Sequence, residues 1–364
     1  MKKSGNKKEE QSWLAIIIIN IVILLSIVTI TEIILRVVTN SNTTLNINIG
    51  GMRDWHPTRG TQLKANYKAK GISINSYGIL GPNIDIEPNL KGIRILTIGN
   101  SVTFSPASRN YSRVLEEKLN EFFPANDIEV VVGAVPGYCS YKALDWYNEF
   151  LYKLKPDISV IYIGWNDMGQ YHPFGLRYKT EPLSYTEKSL IGTLMSKLYI
   201  LRIPSYFSGR IEKSKSVDKS PLSSNEKKVL DDFYPDHYSE NLKTIIEKLK
   251  VQGSSVYLVS LAGLITHEPT KDELERMHYP RGMNRKYEIY KAVYDKYQDA
   301  LEKVAINTEI PIIDLRTLID KPDKRYIFSD TMHINEEGAD LFGTCMANTL
   351  RPDVGEILNR KVKN

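Results

Sequence analysis

Two short stretches of the chain carry residue types from which nucleophilic catalysis could be built. The run RILTIGNSVTF (94–104) is apolar and β-rich until a turn presents Ser101, and the later stretch SDTMHINEEG holds Asp330 and His333. A serine hydroxyl is a weak nucleophile unless a base takes its proton during attack. His333 is the candidate base, and Asp330 could orient and stabilise its imidazolium through the other ring nitrogen.

Two further stretches, GAVPGY and IGWNDM, offer Gly137 and Asn166. Glycine lets the backbone approach a ligand closely, because it has no side chain. Each of these residues also has a purely structural explanation as a turn or helix-capping residue, or, for Asp330 and His333, as part of a solvated loop. These candidate residues would be unrelated to catalysis only if every one of those structural explanations held.

The elements that must position these residues form a strand-then-helix pattern. Apolar residues at helical spacing predict helices over 111–123 and 141–154, on 242–249 and 290–304, and after Asn335, a plausible N-cap. Short apolar runs predict five strands, at Ile93–Ile98, Ile128–Val132, Ile158–Ile163, Val256–Leu261 and Ile310–Leu315. This alternation predicts an open three-layer α/β domain with a five-stranded parallel sheet. In such sheets the binding crevice lies beyond the carboxyl ends of the strands, where the four stretches fall.

The order of these residues resembles the SGNH, or GDSL-like, hydrolases, whose motifs supply Ser, Gly, Asn and His from successive blocks. The resemblance covers roughly residues 91–352, where 164–167 fits Gly-x-Asn-Asp and 330–333 fits Asp-x-x-His. It implies a flavodoxin-like fold, a Ser101 nucleophile with His333 and Asp330, and no metal or cofactor. It also implies an oxyanion hole from the backbone N–H groups of Ser101 and Gly137 and the side-chain amide of Asn166.

The chain departs from the family pattern in its first two blocks. Asn100 stands where Asp is usual and Ser105 where Gly is common, while Val132 and Ala134 replace the usual Asn and first Gly of the second block. Asn100 keeps the shape of Asp but removes a charge, while the nucleophile itself is retained. The Gly-x-Ser-x-Gly elbow is absent around Ser101, which disfavours the α/β-hydrolase fold.

The N-terminal part predicts a membrane anchor. Residues 13–31 are almost unbroken apolar, close to the roughly 20 that a helix needs to cross a bilayer. The rival explanation is a cleaved signal peptide, but its apolar region is shorter and ends in a small-residue cleavage site, whereas Glu32 and Arg36 follow here. These two side chains are spaced to pair at the outer interface. Four Lys precede the span, so the N-terminus is predicted to be cytoplasmic and the rest extracytoplasmic.

Charge and cysteine content narrow the class of protein. The formal net charge is +5, of which residues 1–11 supply +2, a balance that does not suggest a nucleic-acid binder. Cys139 and Cys345 have no metal-ligand spacing, and free cysteines are favoured over a disulfide. The other histidines also lack ligand spacing. The predicted organisation is a cytoplasmic tail (1–11), an anchor (12–38), a juxtamembrane spacer (39–90), a hydrolase-like domain (91–352) with an exposed insertion (205–228), and a C-terminal tail (353–364).

The favoured hypothesis is a membrane-anchored serine esterase that hydrolyses an acyl ester, O-acetyl in particular, on a cell-surface glycan through an acyl-Ser101 intermediate. One alternative is an O-acyltransferase acting on polysaccharide, with a membrane-embedded acyl-transfer partner. Another is an inactive glycan-binding or assembly protein, because the first two blocks are altered. A lipase or thioesterase would need an apolar groove, for which residues 169–200 are the candidate region.

Overall fold

The computed structural model describes residues 5–41, 51–54, 56, 58–69, 71–87, 92–105, 109–175, 216–265, 268–319 and 322–363. The chain divides into two compact units. One comprises Met1–Gly51 and Thr186–Lys215, and the other Met52–Tyr185 and Ser216–Asn364. The first part of the predicted insertion (205–228) and most of the possible groove (169–200) lie outside the described residues.

The described part of the first unit is essentially one long apolar helix, α1 (Gly5–Ser41). Its segment Ala15–Ile34, 20 residues long, is apolar enough to cross a membrane, as a span or a signal anchor. The side chains of Asn20, Ser26 and Thr29 each donate to the backbone carbonyl four residues earlier, at 2.8 Å. Because these polar groups are satisfied within the helix, they do not interrupt its apolar surface. The side chain of Arg36, predicted to pair with Glu32, is outside the described residues.

The second unit is built on a five-stranded parallel sheet, which confirms the predicted α/β fold. Its strands are β5 (Ile93–Gly99), β6 (Ile128–Ala134), β7 (Ile158–Tyr162), β8 (Ser255–Val259) and β9 (Ile312–Ile313), in the order β6-β5-β7-β8-β9. All seven residues of β5 are buried, as expected for a central strand covered on both faces. Before the sheet come two small antiparallel pairs, β1 (Arg53–Asp54) with β2 (Gln62–Leu63) and β3 (Lys68–Ala69) with β4 (Ile72–Ser73).

Helices cover both faces of the sheet. On one face α3 (Tyr111–Phe122) packs against α11 (Glu336–Lys363), and on the other α4 (Ser140–Glu149), α7 (Asp236–Val251) and α9 (Tyr287–Thr308) pack together. The shorter helices are α2 (Ser101–Phe104), α5 (Trp165–Gln170), α6 (Ser224–Asp231), α8 (Lys271–Arg276) and α10 (Leu315–Leu318). Two 3₁₀ helices span Leu151–Leu154 and Pro322–Ile327.

Several predicted boundaries differ from the structure. The helix predicted over 141–154 ends at Glu149 and is followed by a 3₁₀ turn that closes with Lys155 in the left-handed region (φ 45°). The fifth strand, predicted at Ile310–Leu315, has only two residues, since Asp314 already caps α10. In the predicted insertion, α6 begins at Ser224 behind a capping box formed by Ser223 and Glu226.

The last helix shows one prediction confirmed and one boundary absent. Asn335 is its N-cap as predicted, because its side-chain oxygen accepts from the Gly338 N–H at 2.9 Å. The helix then continues without a break through the residues predicted as a C-terminal tail (353–364) as far as Lys363. Val354 in that segment is buried, and Lys361 donates to the carbonyl of Gly92 at 2.7 Å. These residues therefore pack with the sheet.

Residues 52–87, within the predicted spacer (39–90), are part of the same compact unit as the sheet. Leu80 forms an antiparallel bridge to Val132 on the edge strand β6. The buried guanidinium of Arg94 donates to the carbonyls of Asp85 (2.7 Å) and Ile86 (3.0 Å). A buried charged group is stable only when it is paired and hydrogen-bonded, so these contacts hold the segment firmly against the sheet.

Candidate active site

Three of the predicted site residues follow neighbouring strands. Gly99, the last residue of β5, is in register with Ala134 of β6 on one side and with Tyr162 of β7 on the other. Ser101, Gly137 and Asn166 therefore all lie just past one edge of the sheet. This is the edge at which open parallel sheets bind ligands.

The turn that carries Ser101 is held by its two preceding residues. The side-chain oxygen of Asn100 accepts from the Val102 N–H at 3.1 Å, which caps α2 at the point where Ser101 begins it. A side chain at Gly99 would clash, because a Cβ there would lie 1.9 Å from the Thr103 hydroxyl and 2.9 Å from the Tyr162 carbonyl. The strand and helix thus approach too closely for any residue but glycine.

Asn100, which replaces the family's usual Asp, is completely buried. Its side-chain nitrogen has no hydrogen-bond partner among the described residues. The capping bond uses the side-chain oxygen, which Asp and Asn share, so the substitution preserves the turn while removing a charge from the interior.

The structure places His333 between Ser101 and Asp330. The His333 Nε2 lies 2.7 Å from the Ser101 Oγ, and the His333 Nδ1 lies 2.7 Å from an Asp330 carboxylate oxygen. The other Asp330 oxygen accepts from the backbone N–H groups of Met332 (3.0 Å) and His333 (2.9 Å). Burial opposes ionisation of Asp330, but the hydrogen bonds from the His333 ring and the two backbone groups outweigh it and lower its pKa to about 2.

The loop that carries Asp330 and His333 follows the 3₁₀ helix Pro322–Ile327, in the connection that leaves β9. In the sheet order β9 is three strands away from β5. Two contacts of the buried residue Thr331 hold the loop over the intervening strand ends. The Thr331 carbonyl accepts from the Leu264 N–H at 2.8 Å, just beyond β8, and its hydroxyl accepts from the His278 N–H at 2.6 Å. Gly263 permits this approach, since a Cβ there would lie 2.4 Å from the Thr331 carbonyl oxygen.

Gly137 and Asn166, the predicted oxyanion donors, are linked through Tyr138. Gly137 has φ +87°, a conformation that favours glycine, and the next residue accepts a hydrogen bond from the Asn166 side-chain amide at its carbonyl, 3.1 Å away. The Asn166 amide carries two hydrogens, and this bond uses one of them. The two predicted donors therefore belong to loops that are tied to each other.

Asp167 is the last residue of the Gly-x-Asn-Asp match, and the structure shows what its side chain contacts. It is buried, and its carboxylate accepts from the Ser140 backbone N–H (2.9 Å) and hydroxyl (2.5 Å), while Asn241 donates to that hydroxyl at 3.0 Å. Burial raises the Asp167 pKa to about 7, although the bonds from Ser140 oppose this change. These contacts fix the start of α5 against the start of α4. A carboxylate directly after Asn166 was the only sequence signal for them.

Several other titratable residues have contacts of their own. Lys286 is buried in an ion pair with Glu226, with 2.7 Å between its Nζ and the carboxylate. Cys139 and Cys345 are both free, as favoured. His237 and His278 are exposed and His172 is buried, in keeping with surface or packing positions, and His267 lies outside the described residues.

One further side-chain cluster has ligand types that suit a metal ion. His56, Asp145 and Glu149 offer atoms within 4.8 Å of one another. The guanidinium of Arg59, however, lies 2.9 Å from the Asp145 carboxylate and 2.5 Å from that of Glu149. These carboxylates neutralise a buried arginine, and a second cation there would be repelled by it.

The chain matches a protein-family model and is similar to several solved structures. A family model described as the GDSL-like lipase/acylhydrolase family matches residues 97–341. No curated protein matches the chain. Similar solved structures include a GDSL-like lipase from Bacteroides thetaiotaomicron, with 15% identity over 73% of this chain and 91% of that one, and a TM-score of 0.41.

Two others have comparable scores. A variant of an acetyl-xylooligosaccharide esterase from Geobacillus shows 16% identity over 71% of this chain and 93% of that one, with a TM-score of 0.43. A lipase/acylhydrolase from Enterococcus faecalis shows 16% identity over 72% of this chain and 96% of that one, with a TM-score of 0.41. Similarity at this level does not identify a substrate for this chain.

Proposed function

This chain belongs to the GDSL-like lipase/acylhydrolase family, and from that premise we propose that it is a serine esterase whose nucleophile is Ser101. The observation that carries the proposal is the continuous pair of short contacts from the Ser101 Oγ through the His333 ring to Asp330, each 2.7 Å. This geometry has the nucleophile, base and orienting group within hydrogen-bond reach of one another, as acyl transfer requires.

In the first half-reaction His333 acts as the base. With its Nδ1 proton held by Asp330, the free Nε2 takes the proton of Ser101 as the Oγ attacks the ester carbonyl carbon. The tetrahedral intermediate then collapses. The bond between the carbonyl carbon and the alcohol oxygen of the ester breaks, and the leaving alcohol takes the proton from Nε2. The product is an acyl-Ser101 ester with a neutral His333.

In the second half-reaction water replaces the alcohol. His333 takes a proton from the water as it attacks the acyl-Ser101 carbonyl, then returns that proton to the Ser101 oxygen as the acid leaves. In both halves negative charge develops on the carbonyl oxygen. The backbone N–H groups of Ser101 and Gly137 and the amide of Asn166 are the proposed donors to it, each worth roughly 2.7–4 kcal/mol by analogy with other oxyanion holes.

The proposed substrate is an O-acetyl ester on an extracytoplasmic glycan. The support is the apolar segment Ala15–Ile34 of α1 together with the four Lys before that segment, which favour an N-terminus in the cytoplasm and a catalytic unit outside. An anchored esterase that faces outward would have the polysaccharides of the cell surface within its reach.

The catalytic part is tested by Ser101→Ala in the full chain, with Ser105→Ala as the matched control because Ser105 is the next serine along the same turn. We expect Ser101→Ala to abolish hydrolysis of 4-nitrophenyl acetate and labelling by a serine-reactive phosphonate. The control should retain both. Turnover and labelling that persist in Ser101→Ala would refute the assignment and leave the inactive-protein alternative.

The orientation is tested by fusing alkaline phosphatase, which is active only outside the cytoplasm, to the C-terminus. Phosphatase activity is expected. An inactive phosphatase fusion together with a fluorescent fluorescent-protein fusion would place the catalytic unit in the cytoplasm.

Acetate release from an acetylated glycan, measured with and without an unacetylated acceptor, separates hydrolysis from acyl transfer. Transfer that exceeds hydrolysis would favour the acyltransferase alternative.

A further inference from the structure

Residues 56–61 lie well before the segment matched by the family model, which begins at residue 97, yet they are part of the same compact unit. At their centre is Arg59, whose side chain is 1% exposed. A guanidinium in the interior is costly unless its donors are paired, so the groups it contacts show what the segment does.

One end of the Arg59 guanidinium is fixed to α4. Its Nη1 donates to Asp145 at 2.9 Å and to Glu149 at 2.5 Å. The neighbouring Thr58 hydroxyl also donates to Asp145, at 2.6 Å, and His56 contacts Glu149 at 3.1 Å. The position of the guanidinium is therefore set by two carboxylates one helical turn apart, and the residues just before Arg59 are attached to the same pair.

The other side of the guanidinium holds the Tyr138 side chain. The Arg59 Nε donates to the Tyr138 hydroxyl at 3.0 Å, and that hydroxyl donates to the carbonyl of Thr61 at 2.8 Å. Burial raises the Tyr138 pKa to about 12, although Arg59 opposes this change, so the phenol keeps the proton that it donates. The ring packs edge-on against Trp146, with centroids 6.0 Å apart. The phenol is thus held from three directions.

The backbone of Tyr138 joins both loop-borne oxyanion donors. Tyr138 directly follows Gly137, and its own N–H donates to Val135 at 3.1 Å, which closes the turn that contains Gly137. Its carbonyl accepts from the Asn166 amide at 3.1 Å. A shift of Tyr138 would therefore move the Gly137 N–H and the Asn166 amide together.

From these contacts we propose that Arg59 is a positioning residue for the oxyanion hole, acting through the Tyr138 side chain. The proposal rests on the proposed roles of Gly137 and Asn166. It means that a segment between the apolar helix and the family-matched region completes the catalytic apparatus, and does not serve only as a connection. Donors to an oxyanion must be held in place before charge develops, and a displacement of about 1 Å is enough to cost up to about 100-fold in rate.

The test uses Tyr138→Phe, Arg59→Met and the double variant in the full chain. Tyr138→Phe keeps the ring and its packing while removing both hydroxyl bonds, so it is the variant least prone to misfold. We expect kcat per phosphonate-titrated site to fall by about tenfold or more in each single variant, while KM stays within about twofold of the wild-type value. This loss should be smaller than the roughly 100-fold or larger loss that follows removal of an oxyanion donor. The double variant should be no slower than Arg59→Met, because both changes break one path.

Arg94→Met is the matched control. Arg94 is also a buried arginine that holds the same N-terminal segment, through Asp85 and Ile86, but it does not contact Tyr138, Gly137 or Asn166. We expect it to lower the melting temperature while kcat per titrated site stays within about twofold, since loss of a buried charged pair destabilises folding. If Arg59→Met and Tyr138→Phe show this same pattern, or if their effects on kcat multiply in the double variant, the proposal is refuted.

A readout that needs no turnover separates this proposal from the proposed function. The side-chain amide of Asn166, assigned with Asn166→Asp, should shift in the ¹⁵N spectrum of Arg59→Met and Tyr138→Phe but not of Arg94→Met. An unchanged Asn166 resonance would refute the positioning role even if the wild-type protein were an active esterase. Absence of wild-type turnover with the expected Asn166 shifts would refute the proposed function instead.

Discussion

Asp330 accepts three hydrogen bonds, from the His333 ring and from two backbone N–H groups, and all three favour its ionised form. An ionised Asp330 requires the proton of the His333 ring on Nδ1. The ring nitrogen that faces Ser101 is then unprotonated and ready to accept. The carboxylate thus selects the tautomer on which the proposed mechanism depends.

Asp330→Asn should therefore lower kcat by about 10³–10⁴-fold with little change in KM, because the amide N–H would face Nδ1 and force the proton onto Nε2. Steady-state hydrolysis of 4-nitrophenyl acetate measures this. The control is Asp340→Asn, a residue of α11 that pairs with Arg109 at the surface, and it should leave kcat unchanged. An Asp330→Asn enzyme within tenfold of wild type would contradict the tautomer argument.

The same residue predicts a pH dependence of stability. Its pKa is lowered from the ordinary 3.8 to about 2, so the folded state binds this proton less readily than the unfolded state. Asp330 should contribute to stability above about pH 4, and the contribution should be lost as the pH falls to about 2. Urea titrations between these pH values should show the free energy of unfolding falling more steeply for wild type than for Asp330→Asn. Parallel slopes would contradict the prediction.

Among the elements, the connection between β9 and α11 decides where His333 lies. It must cross the ends of β8 and β7 to bring His333 to the end of β5. Thr331 rests on the turn after β8, and its carbonyl oxygen would lie only 2.4 Å from a Cβ on Gly263. The ring of Trp165 is also close, at 2.7 Å from that position. The absence of a side chain at Gly263 therefore leaves the room that the Thr331 backbone occupies.

Gly263→Ala should displace this loop and lower kcat by about tenfold or more, because the Thr331 carbonyl is backbone and cannot rotate away. Gly169→Ala is the control, since a Cβ at Gly169 has nothing within 4 Å. Assays of kcat per titrated site compare the two. Equal activity in both variants would show that the loop adapts to the methyl group without moving His333.

The whole molecule combines a packed α/β unit with the apolar helix α1. The side chains in the middle of α1 are largely exposed, such as Leu24 at 62%, which water would penalise and hydrocarbon would not. Membrane insertion of Ala15–Ile34 removes this surface from water. The proposed anchoring follows from this gain.

Replacing Ile23 and Leu24 by Arg should weaken membrane retention, since each Arg near the centre of a span costs about 2.5–3.5 kcal/mol on insertion scales. We expect the double variant to move from the carbonate-resistant membrane pellet toward the soluble fraction. Val251→Arg, at an 87% exposed position on α7, is the control and should stay with wild type in the pellet. Equal retention of all three proteins would contradict a spanning role for α1.

Features that depend on local pattern could be predicted from the amino-acid sequence. The apolar runs gave the five strands and α1, and Asn335 gave the start of the last helix, because propensity, burial pattern and capping act over a few residues. Ser101, Asn166 and His333 were identifiable because each follows or approaches a recognisable strand or motif.

How these pieces meet depends on the packing of residues that are far apart in the chain. His333 and Ser101 are 232 positions apart, and their contact depends on a loop held by Gly263 and Thr331, which no local pattern marks. The link from Arg59 to Tyr138 spans 79 positions and joins a segment outside the family match to the loop that carries Gly137. Such contacts arise when distant residues are buried together and must satisfy one another's charges and hydrogen bonds, and that pairing is set by the packed chain.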